Sequence, residues 1–516
     1  MARGGGPENF GIAGLSAVQA IVMRSLVTPL SFVALSCGIA LLACKPNEAD
    51  VSAEAGIKGE DCNPTYDPKE DPEGRGCEEG LGCEPVSGAD TFVCGAPVRI
   101  HGMVVDAVTL APLTGALVNG LDRTSAPLGE VAVSDAEGHY ELLVSAPRLP
   151  DGELSPEAAY TLQGFAQDYQ PFPSGIRVAL PISAADAPYD ETLKAFVIEN
   201  PSTTVGLIQL PADQRGGVTI SGHVLGEAPG GTMVIAEGQD PAPYAVADST
   251  GAYTLFNVRA GGPTLTGYRR GLEVTPRALT VADVDQVDID LDVVAEGNDN
   301  LAAVSGSVSI VNAPGGSVTS VVLVPTSVFN GNLLRGPVPF GLRSPDPGIE
   351  PNVSGSFVIP GVPAGKYKVL AAFENDFLVR DPDLTIGGTS LVEITVEAGR
   401  NTDLPESFKI TEALAVTSPG KDKPEVVDGN PTFIFADDSS EDYYIVRVFD
   451  VFGALVWEEP MVPGVSGSAT VEVPYAGPAL TPGMYYQFRA TSAREKGGGT
   501  AISQTEDLRG VFIAGG

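Results

Sequence analysis

Histidine and tryptophan are almost missing from this 516-residue chain, which has three of the first and one of the second. None of the histidines, His101, His139 and His223, starts an H-x-x-E zinc pair, since Val104, Leu142 and Gly226 stand three residues on. No G-x-S-x-G elbow, Walker loop or C-x-x-C redox pair occurs either. Helical periodicity and βαβ alternation are lacking, which excludes the α/β scaffolds that hold most such motifs. Basic residues are scarce, 30 against 66 acidic ones, for a net charge of −36. That field repels a phosphate backbone and excludes nucleic acid as a partner. Paired carboxylates remain the one open hydrolytic route. The visible acidic clusters fall on turns and strand edges, where a carboxyl group stays solvated and ionised rather than poised as an acid. The sequence therefore assigns no catalytic, cofactor-binding or metal-ligating residue, and the chain is expected to be non-enzymatic.

One apolar run is present, from Leu26 to Leu42, preceded by Arg24 and closed by small residues before Cys44. Charged start, apolar middle and small-residue end are the layout of a secretory signal. Thr28, Pro29, Ser31 and Ser36 interrupt it and weaken the rival reading of a membrane span. The stretch "LLAC" (Leu41, Leu42, Ala43, Cys44) resembles the bacterial lipoprotein box. That resemblance implies a lipid on Cys44, cleavage before it, and a mature chain anchored by several acyl groups. Cys37 would leave with the signal, and Met23 is a candidate true start. Lys45 stands where the inner-membrane retention signal carries Asp, so the outer membrane or cell surface is expected.

Residues 44–61 are polar, acidic and free of aromatics, and read as a flexible tether. Four cysteines follow within residues 62–96: Cys62, Cys77, Cys83 and Cys94. An exported segment this short and polar cannot build its own core, so two disulfides are expected and three connectivities are open. Zinc is the rival, but paired C-x-x-C spacing and histidine are both lacking there. The segment reads as a stapled spacer.

Glycine and proline are plentiful, at 62 and 43 residues. They punctuate a repeat. "IHGMV", "ISGHV" and "VSGSV" each place apolar residues two either side of Gly102, Gly222 and Gly306. An Ala-Pro turn follows each (111–116, 228–231, 313–316), and then "DAEGHYEL", "DSTGAYTL" and "NVSGSFVI". Asp135/Gly138, Asp248/Gly251 and Asn352/Gly355 fit type I turns. Tyr140, Tyr253 and Phe357, with Leu142, Leu255 and Ile359, then face a core by period-two alternation. Short strands without helical period indicate β-sandwiches. The pattern I-x-G-x-V, A-P-L-x-G-A-x-V, D-x-x-G-x-Y-x-L resembles the carboxypeptidase regulatory-like domain, a transthyretin-like or starch-binding-like sandwich. The likeness covers roughly residues 97–408 and is fullest in the first unit. In metallocarboxypeptidases this domain is the non-catalytic partner.

Residues 409–516 alternate strongly through "YYIVRVFD", "ALVWEE" and "GMYYQFRA" and resemble a fibronectin type III-like sandwich. Trp457 is expected to pack in its core. One member of each pair Tyr443/Tyr444 and Tyr485/Tyr486 should do likewise, leaving the other free to stack on a sugar. Asp288, Asp290 and Asp292 alternate with Ile289, Leu291 and Val293, which predicts an edge strand guarded by charge. The acidic loop "DDSSED" (437–442) is the better-placed candidate for calcium, without EF-hand spacing.

The expected architecture is all-β. It consists of a signal peptide (1–43), the tether, the disulfide-rich module, and sandwiches at 97–216, 217–297, 298–408 and 409–516, stacked as tandem Ig-like or transthyretin-like units. The expected role is a lipid-anchored binding or scaffolding protein of the cell envelope. Its partners would be the membrane, through the anchor, and polysaccharide or envelope proteins. Carbohydrate binding and service as an accessory subunit of a surface enzyme or polymer machine are the alternatives.

Overall fold

The computed structural model describes residues 56–64, 76–346, 353–372 and 391–515, apart from 123, 178, 180–181, 185–186, 295–299, 312–318, 333–334, 405–406, 412–413, 422, 439–440, 466–467, 496–499 and 506–508. Cys37, Cys44, the signal and the tether up to residue 55 lie outside them, as do Asn352 and the Ala-Pro turn at 313–316. Among the described residues the secondary structure is strand apart from three short 3-10 turns, and no helix is long and apolar enough to cross a membrane.

The strands form four successive two-sheet units. In the first, Val98–Asp106 pairs antiparallel with His139–Val144 and parallel with Ala195–Ile198 and Val205–Gln209. Leu117–Leu121 and Ala159–Phe165 head the facing sheet. The second unit repeats this with Val218–Leu225 against Ala252–Val258, facing Met233–Glu237 against Thr264–Arg269. The third has Ala302–Val311 against Ser356–Val362, facing Ser320–Pro325 against Gly365–Ala372. In the fourth, the sheet Val416–Ser418, Thr432–Ala436, Thr470–Pro474 faces a larger one centred on Tyr485–Arg494 and Tyr443–Asp450.

The register explains the repeated motif. Gly102 lies directly across from Tyr140, Gly222 from Tyr253 and Gly306 from Phe357. In the first unit the Tyr140 ring lies against Gly102, and in the first two units the tyrosine hydroxyl reaches past the glycine. Tyr140 donates to the Thr203 carbonyl at 2.6 Å, and Tyr253 donates to the Ile289 carbonyl. A Cβ on Gly102 or Gly222 would overlap those same carbonyls. In the third unit the Leu404 side chain fills this space instead. All three aromatics are buried, at 4, 3 and 4 % exposure, as are Leu142, Leu255 and Ile359.

The Asp turns form as expected. Asp135 accepts from the backbone N–H of Glu137 and His139, and Asp248 from those of Thr250 and Ala252. Gly138 and Gly251 take φ of +82° and +89°, which favours glycine. Each packs against the proline of its Ala-Pro turn, Pro112 or Pro229. The two halves of the motif are therefore one contact.

Two features depart from a plain stack. The second and third sandwiches share a core: Met233, Ile235 and Tyr268 of the second pack with Val304, Phe357 and Tyr367 of the third. The Tyr268 and Tyr367 rings meet edge-on at 5.8 Å. Strand Met233–Glu237 is thus buried on both faces, its Val234 and Ala236 belonging to its own sandwich. The fourth sandwich also folds back onto the first. Ile176 and Ile208 of the first form a buried cluster with Val451 and Val511 of the fourth.

Cys62 pairs with Cys83 and Cys77 with Cys94. The sulfurs of Cys62, Cys77 and Cys94 lie within 4.8 Å of one another, as in a metal cluster, because the two bridges are adjacent. The module does not stand off as a spacer. Its hairpin Gly82–Pro85, Phe92–Gly95 docks on the first sandwich, where Glu84 accepts from the Ser145 hydroxyl and the Ala146 N–H at 2.6 and 3.0 Å. Arg148 is fully buried beside it and donates to the Ala96 carbonyl.

Candidate functional site

Where the sandwiches converge they enclose a groove of about 580 Å³. That lies within the ~300–1,000 Å³ of small-ligand sites. Strand Ala159–Phe165 of the first sandwich contributes Gln163 and Phe165. Tyr244, Phe256 and Asn257 come from the second, Phe329 and Phe340 from the third, and Phe452 from the fourth.

Its walls are pinned to one another. Asn257 and Asp168, both at positive φ, sit at the first joint. Asn and Asp tolerate this region better than other side chains. Asn257 Oδ1 accepts the Asp168 N–H at 2.6 Å, and Asp168 in turn accepts the Gly216 N–H at 2.7 Å. Phe165 and Tyr244 meet edge-on across the same joint at 5.9 Å. At the second joint Glu237 accepts from Tyr268 and Ser327 at 2.8 and 2.9 Å, and Arg270 grips Asp346 with both terminal nitrogens. The main chain adds Arg270 N–H to Phe340 O at 3.0 Å.

Two of the groove's cations are held by carbonyls. Arg177, 3 % exposed, donates to Gly206 O at 2.8 Å and Pro171 O at 2.7 Å, and its guanidinium carbon lies 5.6 Å from the centre of the Phe172 ring. Burial lowers its pKa to about 10, so it remains charged at neutral pH. Arg259 donates to Asp240 O at 2.7 Å. Such an arrangement can grip a ligand through charge, aromatic faces and amides.

The residues singled out from sequence fall elsewhere. His101 lies beside Glu141 at 2.9 Å, while His139 and His223 are exposed beside Asp135 and Asp290. All three sit on or at the edge of strands and outside the groove, as expected of surface positions. Trp457 packs against Tyr475 at 5.2 Å and against Phe433 in the fourth core. Tyr444 and Tyr486 are buried. Tyr485 packs into the joint with the first sandwich and is not a free stacking platform, which leaves Tyr443.

The acidic run 283–294 corrects the predicted continuous edge strand. Only Leu291–Asp292 is strand, paired parallel with Val224–Leu225. Asp288 takes φ of +57°, and Asp285 and Asp290 turn their carboxylates onto the N–H groups of Thr219 and His223. The alternation survives as burial of Leu291 and partial burial of Ile289 and Val293.

In the loop 437–442, of which 439–440 lie outside the described residues, the carboxylates bond to the protein itself. Asp437 accepts from Tyr444, Asp438 from Ser492 and Asp442 from the Glu495 N–H. Desolvation, with Asp437 and Asp438 nearby, raises the pKa of Glu441.

Sequence reading had no route to the groove. Its residues are scattered from position 121 to 452 and converge only through the joints.

No known protein family matches the chain, and no curated protein does. Solved structures align with it at low similarity. A catechol 1,2-dioxygenase from Acinetobacter sp. ADP1 shares 15 % identity over 25 % of this chain, at a TM-score of 0.15. The chain spans only 56 % of that protein's length. The major pilin subunit of Bacillus cereus shares 10 % identity over 61 % of this chain and 99 % of its own, at 0.16. A tetra-tandem repeat from the extending region of a large adhesion protein shares 13 % over 80 % and 98 %, at 0.13. TM-scores this low leave these likenesses without bearing on activity, and the all-β sandwich architecture rests on the strand order described above.

Proposed function

We propose that this chain is an exported, non-enzymatic binding and scaffolding protein of the cell envelope, anchored by lipid on Cys44 at the outer membrane or cell surface. The observation that carries the reading is the ligand-sized groove built from several sandwiches and fixed by bonds across their joints. The repeated glycine–aromatic contact supports a carboxypeptidase regulatory-like identity for the first three sandwiches, a domain that accompanies catalytic units rather than being one. The three-stranded sheet facing a larger one supports a fibronectin type III-like identity for the fourth. The disulfide module, docked on the first sandwich, would join this body to the tether.

One preparation tests the reading. In chain purified from its own membranes, the mature N-terminal peptide should carry acyl mass on Cys44. The same material, immobilised, should retain labelled envelope polysaccharide or protein and release it unshortened. An unmodified peptide running upstream through Cys37 would remove the anchor. Turnover that disappears on changing one Asp or Glu pair would make the protein a glycosidase.

A further inference from the structure

We infer that the groove binds an acidic saccharide chain, an inference that rests on the groove being this protein's ligand site. Its charge is the first reason. The chain carries more than twice as many acidic as basic residues, 66 to 30. Yet the charged residues lining the groove are Arg177, Arg259 and Arg335 against Asp240 alone, among the described residues. A local inversion of the molecule's sign concentrates anions there and repels cations. Arg177 lies beneath the wall, out of bulk water, so its charge is weakly screened.

The neutral lining narrows the chemistry. Phe256, Phe329 and Phe340 line the groove and are each only partly buried; a cation already covers one face of two of them, Lys368 on Phe329 and Arg269 on Phe340, which leaves Phe256 as the ring best able to meet the C–H face of a pyranose. Gln163 leaves its side-chain oxygen buried and unpartnered. Behind the lining, Asn119, 2 % exposed, stands directly across from Gln163 on the same face of the sheet, and both of its amide atoms lack a partner. A buried polar atom without a partner is destabilising, so such a pair marks a place where polar groups are expected. An amide offers a donor and an acceptor together, which is what a sugar hydroxyl matches. Arginine supplies the complement of a carboxylate or sulfate. The volume suits a short oligosaccharide and is too small for a folded domain.

Titration calorimetry on the purified chain tests this with three probes: oligogalacturonate, its methyl ester, and a proline-rich peptide. Oligogalacturonate should bind about tenfold or more tightly than the ester, and its affinity should fall as salt is raised. Arg259→Gln and Phe256→Ala should each weaken it about tenfold or more while the melting curve stays unchanged. Equal binding of the ester, or binding of the peptide alone, would overturn the acidic-saccharide inference and leave the groove as a ligand site. Oligogalacturonate affinity untouched by both variants would move the site out of the groove. Failure of every probe would overturn the inference, while retention of envelope material in the experiment above separately reports whether the chain binds at all.

Discussion

Tyr253→Ala should destabilise the second sandwich by about 3–5 kcal/mol, the usual cost of deleting a buried aromatic ring. Tyr253 is 3 % exposed in a core with Ile220, Leu255 and Leu265. It stands directly across from Gly222 in the strand pair, and its hydroxyl donates to the Ile289 carbonyl. Deletion therefore opens a cavity and also frees the segment that runs alongside Val218–Leu225. Tyr253→Phe removes the hydrogen bond and keeps the ring, and should cost about 0.5–1.5 kcal/mol. Gly222→Ala should fail for the opposite reason, because its Cβ meets a backbone carbonyl that cannot swing aside. Hydrogen exchange of the amides in Val218–Leu225, followed with a denaturation curve, reads all three. A neutral Tyr253→Ala would mean that the glycine–aromatic register is wrong. Phe357→Ala should destabilise the third sandwich, where the ring is 4 % exposed. The shared core means it should also loosen Met233 and Ile235 of the second.

Breaking both disulfides, by Cys62→Ser with Cys77→Ser, should cost about 2–5 kcal/mol for each bridge. They close spans of 21 and 17 residues in a module with little core of its own. From sequence alone the loss looks confined to that module. The structure extends it, because the hairpin that the bridges hold is what covers Arg148. Desolvation lowers the Arg148 pKa, and Glu84 offsets part of that effect. Releasing the hairpin would take away both Glu84 and the cover that keeps Arg148 from water, so the packing around Arg148 should loosen. Exchange protection at Ser145–Arg148 should fall along with that of the module. Unchanged protection there after the substitutions would show that the module is an independent spacer.

The fold was legible wherever one face of a strand meets water. Alternation placed Tyr140, Leu142, Tyr253, Leu255, Phe357 and Ile359 in cores, and all six are buried. Turn chemistry placed Asp135 and Asp248. What alternation hid was burial on both faces. "MVIA" at 233–236 and "SVVLVP" at 320–325 are continuous apolar runs whose second face meets a neighbouring sandwich or loop. Such runs are a sign of two-sided burial, and they are the trace of the joints in the sequence. Ile176, Ile208, Val451 and Val511 gave no comparable sign, since an interface residue between sandwiches looks like any core residue. The acidic run 283–294 misled because alternation says which way side chains point and not whether the backbone pairs. A left-handed Asp288 breaks the ladder while the pattern persists. The groove was out of reach for a plainer reason: no local stretch contains it.

The central claim is that the fourth sandwich folds back on the first and helps close one groove, rather than ending a string of independent units. Dipolar spectroscopy on spin labels at Val108→Cys and Thr481→Cys tests it most directly. Both positions are exposed and flank the contact where Gly483 faces Val108. The native cysteines of the described body are consumed in disulfides. A short, narrow distance distribution that survives dilution is the predicted result. A long or broad distribution would contradict the folded-back arrangement and the groove it completes.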